Sequence, residues 1–140
     1  MARFKVTTNA NEVGSRMINR GNATERIVKE LIFKAVILVE KDVKIGINTG
    51  PATGRLRRDG SRASAEGEYP MADTGELASK ISFDIRGNTG IVTSSAPYSK
   101  HLEYGTQNMR ARPFMFPSLE KNRRRILKMF KDARLLRKTS

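Results

Sequence analysis

Residues 96–120 read APYSKHLEYGTQNMRARPFMFPSLE, and Gly105, Pro113 and Pro117 leave that backbone few choices. Glycine admits a positive φ, whereas each proline fixes its own φ and pushes the residue before it toward extended geometry. The order predicts a short helix over Tyr98 to Tyr104, a stop at Gly105-Thr106 with Gly105 at positive φ, and an extended arm over Met109 to Phe116. A long helix then opens near Pro117, a residue suited to a first turn. On the short helix Tyr98 and Leu102 lie one turn apart, as do Lys100 and Tyr104, which describes a turn packed on a sheet. Glu103 reads either as a solvated carboxylate or as the partner of Arg112 across the Gly105 break, an ion pair that would set the arm's direction.

Further N-terminal, Phe4 to Thr7 alternates as a short strand. Asn9 and Glu12 have capping-box spacing ahead of Val13, Met17 and Ile18, and Gly21-Asn22 interrupts that helix. Asn22 as cap, with Glu25 at the third helical position, opens a longer helix to about Lys44. Val28, Leu31, Ile32, Ala35, Leu38, Val39 and Asp42 or Val43 recur at the spacing of one buried stripe. Phe33, Val36 and Ile37 widen it, so this core helix is expected to be covered by a sheet and by a second helix or a neighbouring subunit.

Ile45 to Asp73 is rich in Gly, Pro, Arg and Ser and poor in large aliphatics, which predicts a long flexible loop. Its arginines come first (Arg55, Arg57, Arg58, Arg62) and its carboxylates later (Glu66, Glu68, Asp73). It reads equally as a mobile connector, whose carboxylates would be too mobile for burial to shift their pKa, and as an arm that orders against a neighbour or DNA. The four arginines are the candidate contacts with nucleic acid or an acidic partner. Asp73-Thr74-Gly75 is a turn into a helical turn over Glu76 to Lys80. Ile81, Phe83 and Ile85 alternate with Ser82, Asp84 and Arg86, and after Gly87-Asn88 the chain returns over Thr89 to Ser95 as a hairpin. Pro117 to about Leu136 is an amphipathic basic helix, with 137–140 a frayed tail. The whole is α+β: one domain of 140 residues, with a small, mainly antiparallel sheet packed by the Asn22 to Lys44 helix and the C-terminal helix alongside.

Chemistry is sparsely provided. There is no cysteine, and His101 is the only histidine, so thiol catalysis, disulfides and Cys/His zinc sites have no ligands to draw on. Gly50 to Arg55 (GPATGR) is a residue short of a phosphate loop and has arginine where lysine is needed. The expectation is no enzyme and no cofactor. With 27 Lys and Arg against 14 Asp and Glu, the net charge is +13, which favours an anionic partner without choosing nucleic acid, membrane or acidic protein. No run is long and apolar enough for a membrane span, and the N-terminus lacks a secretory signal, which predicts a soluble protein made in a cytoplasm.

The run Tyr98-x-x-x-x-Glu103-Tyr104-Gly105-Thr106, followed by Met109-x-Ala111-Arg112-Pro113-Phe114, resembles the signature of the tail-completion proteins of long-tailed bacteriophages, the gene-product-ten-like family. Arg62 to Pro70 and Ala72 to Leu77 are similar to a second family segment in order and spacing, so the likeness covers roughly half the chain. His101 stands where the family often has an aromatic, and Arg110 where it often has a proline. The resemblance implies a structural virion protein, made in the host cytoplasm. It would form a homo-oligomeric ring, a hexamer, at the neck or the top of the tail, joining head to tail beside connector and tail proteins, with DNA passing through. Tyr98, Glu103, Tyr104, Gly105, Thr106, Arg112, Pro113 and Phe114 would then form the assembly interface, the arm after Gly105 reaching a neighbour. From the charge alone, the alternatives are a sequence-independent nucleic-acid-binding protein or an assembly factor for an acidic partner.

Overall fold

The computed structural model describes residues 2–6, 22–71 and 75–135, with side chains over 25–71 and 75–133. The helix expected after Asn9 and the tail 137–140 lie outside these, as do Asp73 and Thr74. The elements run β1 (Ala2–Val6), α1 (Asn22–Thr49), α2 (Glu76–Ser79), β2 (Ile81–Arg86), β3 (Thr89–Ser94), α3 (Ser99–Tyr104) and α4 (Met115–Leu135). The architecture is α+β, as the residue pattern predicts.

The three strands pair antiparallel in the order β1-β3-β2, with Val92 of the central strand opposite Phe4 on one side and Phe83 on the other. Ile81 is buried and Phe83 and Ile85 pack against the core, while Ser82, Asp84 and Arg86 on the opposite face are exposed. In β2 this is the alternation of an antiparallel strand with one wet side, whereas in β3 Ile91, paired with Asp84 on that side, is buried. Helix α1 lies over β2 and β3, and α4 runs beside α1 and meets β1. The buried stripe of α1 is Val28, Ile32, Ala35, Val36, Val39, Val43 and Ile47. Each buried valine or isoleucine of the stripe contributes roughly 1.5–3 kcal/mol by leaving water. Of the three residues expected to widen that stripe, only Val36 is buried. Phe33 and Ile37 stay partly exposed, with the Phe33 ring edge-on to Phe83 at a centroid distance of 5.8 Å.

Several boundaries differ from the sequence reading, among them the first strand, which spans Ala2–Val6 where Phe4 to Thr7 is expected. Asn22 is the first residue of α1 and not its cap, and Glu25 pairs with Lys29 one turn on, at 2.7 Å. The helix continues past Lys44 to Thr49, because Gly46 does not end it. A Cβ at Gly46 would overlap the ring of Tyr69, so the glycine is a slot for that ring. The C-terminal helix opens at Met115, two residues before Pro117.

Tyr69 shows how the segment 50–71, which contains no helix or regular strand, is held. Its hydroxyl shares a hydrogen bond of 2.8 Å with Ser118 Oγ in the first turn of α4, pegging the segment between α1 and α4. Further along that seam, Asn122 Nδ2 donates to Asp42 Oδ2 at 2.6 Å and to the carbonyl of Ser118 at 2.8 Å. With Ser118 level with Gly46 and Asn122 level with Asp42, α4 runs antiparallel to α1.

Candidate functional site

The chain turns from α3 into α4 around one carboxylate. Ser99 and Glu103, one turn apart on α3, both point inward, and Glu103 is only 5% exposed. Glu103 Oε2 accepts the N–H groups of Phe114 (2.9 Å) and Met115 (3.0 Å), and Oε1 accepts that of Phe116 (3.0 Å). A helix leaves its first four N–H groups without intrahelical acceptors. Here three go to Glu103 and the fourth position is Pro117, which has no N–H to satisfy. The positive end of the α4 dipole also faces the negative carboxylate. Hydrogen bonds to a charged group contribute about 1.5–3 kcal/mol each, offset in part by the desolvation of the carboxylate.

Neither alternative for Glu103 holds: it is buried and not solvated, and it caps α4 from a distance instead of pairing with Arg112. Arg112 serves through its backbone, its N–H donating to the carbonyl of Leu102 at 2.7 Å. Between these anchors Gly105 ends α3 at φ 75° and ψ 179°. The positive φ agrees with the sequence reading, but this ψ places the residue beyond the left-handed helical region, in territory used almost only by glycine. Thr106 and Met109 then bond each other across a tight turn, Thr106 N–H to the Met109 carbonyl at 2.7 Å. The arm after Gly105 thus lies along its own subunit, bonded to Leu102, Glu103 and, through the Ala111 carbonyl, to the N–H of Gly67.

The residues expected at an assembly interface fall into two groups. Glu103 and Phe114 are interior, Phe114 fully buried, and Gly105, Arg112 and Pro113 are half-buried. Tyr98 (38% exposed), Tyr104 (63%) and Thr106 face solvent, as does Phe116 (55%), which the sequence reading did not single out. It also missed Tyr69, Ser118 and Asn122. One signal was available: residues 112–116 open a helix with no Ser, Thr, Asp or Asn to cap it, which calls for an acceptor from elsewhere.

Arg55, Arg57, Arg58 and Arg62 sit on a small hairpin-like turn closed by the Leu56–Arg62 bridge, and Arg55, Arg57 and Arg58 line a shallow depression with Leu56 and Ala63. Arg62 donates to the Gly54 carbonyl at 3.2 Å, stapling the turn. Behind it, Glu68 gathers the Thr53 hydroxyl, the Ala65 N–H (2.7 Å) and the Thr53 N–H (3.1 Å). The Thr53 hydroxyl, then the Ala65 and Thr53 amides and finally the Arg112 charge hold the Glu68 carboxyl below its usual range. The expectation for the carboxylates of this segment concerns burial alone; the Glu68 shift comes instead from fixed hydrogen-bond donors. A depressed folded-state pKa contributes stability that is present above the unfolded value and lost as pH falls through the folded one. Amide exchange at Thr53 and Ala65 should therefore lose protection as pH falls below the ordinary glutamate range. Protection unchanged through acid titration would show that other contacts order the segment.

Among the described residues no group of three or more His, Cys, Asp or Glu is placed to hold a metal ion, and no helix is long and apolar enough to cross a membrane. Comparisons with protein-family models, with curated proteins and with solved structures find no match.

Proposed function

We propose that this chain is a structural subunit of a tailed-phage virion, a tail-completion protein that assembles as a closed ring where tail meets head. The reading rests on the resemblance of residues 62–77 and 98–114 to that family. The observation that carries it in the structure is the compact turn those residues build, with Glu103 inside and Tyr98, Tyr104 and Phe116 outside. A signature whose acidic and glycine positions set a corner, and whose two tyrosines stay in solvent while Phe114 anchors the corner in the core, suits a surface offered to a neighbouring subunit. A ring requires a heterologous interface that closes. The role is architectural and not catalytic, and the neighbours are copies of the chain and the adjoining connector and tail proteins.

Mass photometry of the purified protein, alone and with connector or tail components, tests this. The expected result is a discrete hexameric species in at least one condition. A strict monomer in both would overturn the ring.

A further inference from the structure

Among the described residues a second cationic surface, apart from the arginine-rich turn, lies on α4. From Lys121 to Lys131 the helix carries Lys121, Arg124, Arg125, Lys128 and Lys131, all exposed. At about 100° per residue these five fall within an arc of roughly 120° and extend roughly 15 Å along the axis. The packed face of α4, with Asn122, Ile126 and Phe130 buried, lies opposite. Lys121 stands 3.5 Å from Asp42, and Arg123, off the arc, takes up Glu120 at 3.2 Å. Among the described residues Arg124, Arg125, Lys128 and Lys131 make no ion pair or side-chain hydrogen bond, and Asp132 is the one carboxylate of α4 within the arc.

We infer that this row is a docking surface for the phosphate backbone of double-stranded DNA, bound without regard to sequence. A straight, convex row of cations meets regularly spaced charges well, and with a net charge of +13 the whole chain is drawn to a polyanion. The row has no aromatic on which an unstacked base could lie, which separates it from a single-strand platform. A membrane-surface helix would turn an apolar face outward, whereas α4 buries its own in the core. The surface belongs to the monomer and stands whether or not the ring forms.

The test is fluorescence anisotropy on a duplex of about 25 base pairs across a salt series. It compares the parent, the triple variant Arg124→Gln/Lys128→Gln/Lys131→Gln, and the turn variant with Arg55, Arg57, Arg58 and Arg62 all changed to Ser. The parent should bind with a steep salt dependence and equally to a scrambled duplex. In the triple variant the log–log salt slope should fall by roughly 2 to 3 and low-salt affinity by tenfold or more, at about 0.9 in slope for each phosphate no longer neutralised. Thermal melting of the triple variant should match the parent, and the turn variant should keep the parent's slope. A parent that does not bind duplex, a triple variant with the parent's slope, or a turn variant that alone abolishes binding would each overturn the inference. So would binding to vesicles of anionic phospholipid, or to a polyglutamate peptide, at salt concentrations where duplex is released.

Discussion

Replacing Glu103 with alanine is expected to destabilise the subunit by about 4 kcal/mol, the sum of several buried donors losing their acceptor at once. Phe114 and Met115 are buried, so water reaches their N–H groups poorly once the carboxylate is gone. Against a total stability of about 5–15 kcal/mol for a domain, this is a large fraction. The thermal midpoint should fall by on the order of 10–20 °C. Glu103→Gln keeps one acceptor oxygen but turns an NH₂ toward the N–H groups served by the other, and should fall between parent and alanine. Circular dichroism melts of the three proteins decide the matter. An alanine variant that melts within a degree or two of the parent would show that water caps α4 as well as the carboxylate does.

Gly105→Val should be almost as damaging, for a reason that leads back to the same carboxylate. A Cβ at Gly105 would stand 2.8 Å from the Met109 carbonyl oxygen and 2.9 Å from Ala111 N, both backbone atoms that can yield only if the arm moves. Adding the strain of a branched residue at φ 75°, the cost should be about 3 kcal/mol or more. Because the arm carries Phe114 to Glu103, shifting it also loosens the cap. In a double-mutant cycle with Glu103→Gln, the two changes should therefore couple by about 1 kcal/mol or more. Strict additivity in chemical denaturation would mean that the arm and the cap are independent.

Side-chain periodicity made much of this fold legible. The alternation of Ile81, Phe83 and Ile85 and the Gly87-Asn88 turn gave the hairpin, and the three-to-four spacing from Val28 to Val43 gave the core helix. Gly105 announced its positive φ because a helix had to stop there. Less legible were features in which one partner is backbone or lies far along the chain. Gly46 falls just past the expected helix end at about Lys44, yet it makes room for Tyr69, twenty-three residues on, and nothing near Gly46 in sequence says so. Glu103 invited pairing with an arginine, because charge is visible in a sequence whereas the N–H groups of Phe114, Met115 and Phe116 belong to every residue alike. The loop arginines drew attention as a cluster in sequence. The basic side of α4 was legible from its amphipathic pattern, but which of its cations find carboxylate partners is known only from the fold.

The remote cap also bears on the order in which the chain folds. Glu103 and Phe114 are 11 residues apart, whereas the Tyr69–Ser118 bond joins residues 49 apart and the Asp42–Asn122 bond residues 80 apart. By loop-closure entropy, the first of these pairings costs roughly 2 kcal/mol less to form than the last. The α3–α4 corner is thus a local nucleus that can close before the helices dock, and α4 reaches α1 with its first turn already set. In stopped-flow refolding, lesions at Glu103 should then slow folding, while lesions at Tyr69 or Asn122 should leave the folding rate nearly unchanged and hasten unfolding.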